Sequence, residues 1–373
     1  MTIMDNSFNG KTSETGNFIK CKDCGANLKY LPGTPYLNCD YCGAKNEIET
    51  TQTVEIIEND FESFLNEKAH QEDKKEISTV KCDNCAASTT LPLHVTSCTC
   101  PYCDTPLVIK NASISAIIKP SYVLPFKIDR KAATQKFVDW SGQLWFAPNK
   151  LKEYAAQSAE KLNGIYMPYW TYDTNTVTNY TGMRGDYYYV TETYRDSGGK
   201  TQTRQVQRTN WFHVSGTVYN EFDDVLVVSS QSLPEKLANE LEPWDLPELA
   251  AYNDKYLSGF ITESYQVDLK SGFDKAKLKM QPVIQSTVVN DIGGDVQQVN
   301  SMDYTYNDIT FKHILLPVWL SSYRYKEKVY RFLINARTGE VQGERPYSAL
   351  KIALLVVSIL AVIGVAIYFF SRK

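Results

Sequence analysis

Histidine is scarce in this sequence, with only His70, His94, His213 and His313 among 373 residues. His213 sits in an apparent strand beside Trp211 and Phe212, and His313 follows Phe311 by two residues. Neither has a serine or cysteine nucleophile nearby in a recognised motif, so triad-type chemistry has no support. A complete phosphate-binding loop is also missing. Ser197-Gly-Gly-Lys-Thr201 has the right ending, but Tyr194 stands where the pattern needs a glycine. The segment also joins two apparent strands, whereas a P-loop opens a helix, so a hairpin turn is expected there. Met1 to Lys20 is polar and lacks the apolar run of a signal peptide. Residues 1–110 contain no arginine: 10 lysines face 16 Asp and Glu, a net charge of −6. A negative surface repels phosphates, which counts against nucleic acid as a partner.

Cysteine is present in a pattern. Cys21, Cys24, Cys39 and Cys42 recur as Cys82, Cys85, Cys100 and Cys103, each 61 residues after its counterpart, and both sets read C-x2-C-x14-C-x2-C. Two CxxC turns brought together by a hairpin supply the four soft ligands of a structural tetrahedral Zn2+. The sequence therefore predicts two zinc ribbons, at 19–50 and 81–110, holding two structural zinc ions through these eight cysteines. Leu28, Tyr30, Leu31, Tyr36 and Leu37 can cover the first site. Four thiolates leave no open position for water, so neither zinc is expected to be catalytic. Each zinc bound by four thiolates adds about −2 to an already acidic region. The ninth cysteine, Cys98, aligns with Leu37 and reads as a small apolar residue. His94 could replace a ligand, but the cysteine set is complete without it.

The rest of the chain divides around these units. Residues 1–18 form a polar tail. Residues 51–80 read as a linker with a spacer helix, since Phe61, Phe64 and Leu65 fall on one helical face. Residues 114–347 read as a large mixed α/β domain rich in antiparallel strands. Strands are expected over Tyr122–Ile128, Ile165–Val228, Tyr265–Leu269 and Val296–Val341. Helices are expected over Arg130–Trp140, Leu233–Tyr256 and Phe273–Val289. Thr181-Gly182, Asp196 to Gly199 and Thr338-Gly339 carry turn signals. Asp291-Ile-Gly-Gly-Asp295 reads as a helix C-cap, and Asp223-Asp224 as a solvated turn. Ile165 to Trp170 echoes Leu315 to Trp319; this is either an internal duplication or two aromatic edge strands that both contain proline. The aromatics around Tyr166, Trp170 and Tyr187 to Tyr189 read mainly as cross-strand packing.

Ile352 to Phe370 is 19 residues without a charge. As a helix it is about 28 Å long, close to the hydrocarbon thickness of a bilayer. A single transmembrane helix is expected over residues 350–370. Lysine and arginine on its two sides nearly balance, so orientation follows from the thiolates: the N-terminal domains are expected in the reducing cytoplasm. The fold class is thus α+β, with two N-terminal zinc ribbons, the mixed domain and one membrane helix.

The ribbons, GIYMPYWTYD, ITFKHILLPVWLSSYRY, YRFLINARTGEV and the terminal apolar helix together resemble bacterial membrane-anchored zinc-ribbon proteins of the YdjG type. Some members bear names taken from the primosomal helicase or the transcription-initiation-factor zinc ribbon. The resemblance implies a non-enzymatic scaffold at the membrane, beside flotillin-like or envelope-stress proteins. Ala86 and Asp104 stand where such knuckles usually carry glycine. A membrane-tethered nucleic-acid-binding protein is the alternative; no small-molecule substrate is indicated.

Overall fold

The structure, a computed structural model, describes residues 19–48, 56–66, 74–82, 87–90, 97–102, 105–108, 113–148, 162–195, 197–325 and 328–370. The tail 1–18, His70, His94, Cys85 and Cys103 lie outside the described residues.

The first cysteine unit is a four-stranded antiparallel sheet of β1 (Ile19–Lys20), β2 (Asn27–Tyr30), β3 (Tyr36–Cys39) and β4 (Lys45–Glu47). After it come β5 (Asn59–Asp60) and α1 (Phe61–Asn66). The second unit contains β6 (Lys74–Lys81), β7 (Ser88–Thr90), β8 (Ser97–Thr99) and β9 (Pro106–Val108), and β10 (Ser113–Ile118) pairs with β6. The units share one register. Ile19 pairs with Leu28 and Tyr36 with Glu47 in the first, Val80 with Thr89 and Ser97 with Val108 in the second. Every one of these second-unit residues is its first-unit counterpart plus 61, so the sequence repeat is a repeat of fold.

Among the described residues of segment 51–80, expected to be a linker with a spacer helix, helix is found over α1 alone, where Asp60 caps the Ser63 N–H at 2.7 Å. Lys74–Lys81 is a strand instead. Its Ile, Thr and Val favour extended backbone, and β7 and β10 supply partners on both edges.

The central domain continues with β11 (Tyr122–Val123), α2 (Arg130–Gln143), β12 (Asn163–Arg195), β13 (Thr201–Val228), α3 (Glu235–Asn239), β14 (Ala250–Ala251), α4 (Asp254–Leu257) and β15 (Ile261–Thr262). It is completed by α5 (Leu269–Ile292), β16 (Val296–Tyr325), β17 (Lys328–Asn335), β18 (Val341–Gly343) and α6 (Ala349–Phe370). The main path of the sheet runs β13-β12-β16-β11-β14. β12 and β13 form a hairpin with its turn at residues 197–200, as the sequence indicates.

Two halves of this domain repeat each other. β11–α2–β12–β13 and β15–α5–β16–β17 follow the same order. β11 lies parallel to β16 at Tyr122↔Ile314, and β15 parallel to β12 at Ile165↔Ile261. Asp129 caps α2 through Ala132 N–H, and Asp268 caps α5 through Ser271 N–H. Trp319 Nε1 donates to Ile128 O at 2.9 Å, and Trp170 Nε1 donates to Val267 O at 2.9 Å. The segments Ile165–Trp170 and Leu315–Trp319 pair with each other around Met167↔Leu316, which sits on the local two-fold axis.

Several sequence expectations differ from this fold. Leu233–Tyr256 is not one helix. Pro234, Pro243 and Pro247 break it into α3, a short 3₁₀ turn at Leu246–Glu248, β14 and the start of α4. Only Tyr122–Val123 of Tyr122–Ile128 forms a strand, since Pro125 has no N–H to give a ladder. Tyr265–Leu269 is not a strand but a loop that reaches α5 at Leu269, because the N–H groups of Gln266 and Val267 both go to Ser229 O (2.7 and 3.0 Å). Thr181-Gly182 is mid-strand and marks a register shift against β16. A Cβ on Gly182 would lie 2.7 Å from Gln298 O, so the glycine permits close backbone approach rather than a turn.

The starts of β12 and the middle of β16 are buried on both faces. Tyr166, Leu315 and Trp319 face a core shared with Leu28, Tyr30 and Leu37 of the first cysteine unit and Phe137 of α2. Ile165, Met167, Leu316 and Val318 face the opposite core, shared with Cys82, Cys100 and Tyr102 of the second unit and Leu237 of α3. The two units therefore clamp opposite faces of one sheet. α5 covers Trp170, Tyr172 and Phe311 with a stripe of Leu269, Phe273, Ala276, Met280 and Ile284.

α6 has 22 residues, none of them buried, and is long and apolar enough to cross a membrane. Its first turn is tied to the loop after α2. Ser348 N–H donates to Phe146 O at 2.8 Å, and Lys351 Nζ donates to Ala147 O at 2.8 Å and Trp145 O at 3.2 Å.

Candidate metal centre

Each CxxC turn of the first unit closes the same way. Cys21 N–H donates to Ala26 O (2.7 Å) and Gly25 N–H to Cys21 O (2.9 Å); Cys39 N–H donates to Ala44 O (2.9 Å) and Gly43 N–H to Cys39 O (2.9 Å). Gly25 and Gly43 have φ of 72° and 76°, a left-handed conformation that glycine adopts without steric penalty. These turns aim four sulfurs at one point. Cys21 Sγ lies 3.7 Å from Cys42 Sγ, and Cys24 Sγ 3.5 Å from Cys39 Sγ. All four sulfurs are within 4.8 Å of one another. Cys21 and Cys39 are buried, whereas Cys24 and Cys42 are exposed, and all four are free thiols. Backbone N–H bonds from Cys42 hold the Cys39 thiol down to about 7. The backbone at Ala44 lowers Cys42, but the thiols of Cys24 and Cys39 outweigh it and push Cys42 up to about 12. The cluster thus favours one thiolate and opposes several at once, a charge crowding that a cation would relieve.

In the second unit Cys82 and Cys100 are buried, and their N–H groups donate to Ala87 O (2.8 Å) and Thr105 O (2.9 Å). These are the same closing bonds as in the first unit, shifted by 61. Cys98 lies in β8 opposite Leu107. The four-sulfur group of the described residues is the first unit's.

Both units are bolted to the central domain. Ser258 donates from Oγ to Leu28 O (2.8 Å) and accepts Tyr30 N–H at its carbonyl (2.9 Å), and Gly33 N–H reaches Phe126 O (2.9 Å). On the other face the fully buried Tyr102, in the Cys100–Cys103 turn, donates to Glu263 Oε2 at 2.6 Å. Glu263 is itself buried, and Oε1 accepts from Ser230 at 2.8 Å, from Ser232 and from Gln266 Nε2 at 3.2 Å. Sequence reasoning missed this link; a lone glutamate after the two-residue strand Ile261–Thr262 gives no signal. The matching residue of the first unit, Tyr41, is exposed.

A second polar cluster was also missed. Lys312 Nζ is buried and lies 2.6 Å from Glu58 Oε1, 2.8 Å from Asp224 Oδ1 and 3.5 Å from Asp173 Oδ2. Asp223-Asp224 is accordingly not a solvated turn: register shifts at Asp173 open a bulge, and Asp224 enters it with φ 51°. Burial and hydrogen bonding to Glu58 push Asp173 up to about 7, while the bond from Asp173 and the Lys312 ammonium bring Glu58 down to about 2. Glu58, Asp173 and Asp223 offer oxygens within 4.8 Å of one another. Lys312 already pairs with two of them, Glu58 and Asp173, so the group reads as a structural ion-pair network. His313 is buried against Trp170 and bonded through Nδ1 to Ile118 O at 2.9 Å; desolvation lowers it to about 4 and keeps it neutral. His213 is exposed on β13.

Fold and site together define a class: a metal-capable four-cysteine unit and its structural repeat, fixed to a largely antiparallel α/β core that ends in an apolar helix. No protein-family model and no solved structure matches the chain. Over 337 residues it is 27% identical to the uncharacterized protein YdjG of Bacillus subtilis strain 168, covering 90% of this chain and 91% of that protein.

Proposed function

We propose that this chain is a membrane-anchored zinc-ribbon scaffold: two structural Zn2+ ions fold the cysteine units, α6 spans a bacterial membrane, and the cytoplasmic part binds protein partners without catalysis. The observation that carries it is the sulfur geometry. Four thiolates around zinc at about 2.3 Å stand about 3.8 Å apart, and the Cys21–Cys42 and Cys24–Cys39 sulfur pairs lie at 3.7 and 3.5 Å. Cys21, Cys24, Cys39 and Cys42 would hold one ion; Cys82, Cys85, Cys100 and Cys103 the other, by the shared register. With four sulfur ligands, each ion supplies folding energy and no open coordination site. The two-fold repeat of the central domain reads as an internal duplication and fits a presenting platform better than a single cleft. The resemblance to YdjG-type proteins supports a partner of the flotillin-like or envelope-stress kind; the acidic first 110 residues disfavour nucleic acid.

The test is elemental analysis of the purified full-length protein, then crosslinking in membranes. Two zinc ions per chain are expected, and C21S/C24S should leave one. A preparation with no stoichiometric metal overturns the zinc reading. Crosslinking that recovers no specific protein overturns the scaffold reading.

A further inference from the structure

We propose that the loop following α2, residues 144–148, is a membrane-surface contact that seats Trp145, with Phe146 and Tyr347, in the headgroup layer where α6 enters the bilayer. This rests on α6 being a membrane span.

Trp145 is 74% exposed, whereas Trp170, Trp244 and Trp319 are buried. Its ring stacks on Phe146 with centroids 5.8 Å apart, giving one aromatic face rather than a stray side chain. That face has a fixed height. The three bonds from Ser348 and Lys351 to Phe146, Trp145 and Ala147 tie the loop to the first turn of α6. The uncharged run begins at Ile352, one residue after Lys351, a rise of about 1.5 Å. A bilayer that takes up α6 therefore has its interface at the level of the loop. Tyr347, 61% exposed, lies at the same level with the Arg345 guanidinium 5.5 Å from its ring. Tryptophan and tyrosine favour that layer because one end of the ring system is apolar and the other hydrogen-bonds. Arg345 and Lys351 add attraction to anionic headgroups. The occupant is lipid because the surface is continuous, through those bonds, with the helix that enters lipid. The consequence is a fixed tilt of the cytoplasmic body: one covalent tether and one aromatic foot constrain orientation where a tether alone would not.

Full-length protein and W145F are reconstituted into phosphatidylcholine–phosphatidylglycerol vesicles, with and without acyl chains dibrominated near the headgroup end. The protein has six tryptophans. Brominated lipid should quench wild-type emission by about one sixth, and that quenching should fall at least about threefold in W145F. Equal quenching of both proteins, with both retained through an alkaline carbonate wash, overturns the proposal and leaves the membrane span intact. Release of the wild-type protein by the wash overturns the span, and the proposal with it. W145F is expected to fold, since the side chain is exposed.

Discussion

Replacing Lys312 by methionine keeps the length of the side chain and removes the ammonium that three carboxylates surround. Its side chain is 3% exposed, and Asp173, the most enclosed partner, is 15% exposed. Removing one member of a buried ionic group leaves the others without compensation, which costs about 3–5 kcal/mol. The loss should depend on pH. Asp173 in the native protein holds its proton up to about 7, well above its ordinary range. Without the ammonium it holds that proton to a higher pH still. Above about pH 7 the variant's folded state then binds one more proton than its unfolded state, while the wild type does not. The stability gap between them should widen by about 1.4 kcal/mol per pH unit in that range and flatten below it. K312M/D173N should lose the slope and recover about half of the loss, since one buried carboxylate is gone. The assay is urea unfolding of the detergent-solubilised full-length protein, followed by tryptophan emission. A gap below about 1 kcal/mol, or one that stays flat between about pH 7 and 9, would refute the reasoning.

Y102F removes the hydroxyl that donates to Glu263 and should destabilise the protein by about 1.5–3 kcal/mol in urea unfolding. It should also speed proteolysis within the second cysteine unit before the first; unchanged cleavage order would count against the link. H313L should become more stable relative to wild type as the pH falls from about 6.5 to 4, by about 1.4 kcal/mol per unit. The sign follows from the lowered pKa: unfolded histidine takes up a proton in that window and the buried ring, at about 4, does not. Matched unfolding curves at both ends of the window check it.

The cysteine units could be read from the chain because their information is local: eight positions at one offset set both turns and registers. α2 and α5 were legible from apolar spacing, though α2 runs on to Gln143 and α5, capped by Asp268, begins at Leu269 and ends at Ile292. The run Ile352–Phe370 needed only length and absence of charge. What stayed hidden depends on residues far apart in sequence. Glu58, Asp173, Asp224 and Lys312 meet only because bulges in β13 and β16 coincide on either side of Asp173 in β12. Tyr102 finds Glu263 only once the second unit docks. The segment 233–256 carries apolar residues at helical spacing, but its prolines remove the N–H groups a continuous helix needs. The carbonyl of Ser229 captures two N–H groups at 266 and 267 that a strand would have used.

The paired clasps of Trp170 on Val267 and Trp319 on Ile128 make the molecule its own reference. A phenylalanine at either position deletes the same bond from the same kind of strand-to-helix junction, so any difference between the two variants measures surroundings alone. The surroundings compared in this way are the Phe126 and Phe260 rings about Trp319 and the Tyr265, Phe311 and His313 rings about Trp170, without a second protein.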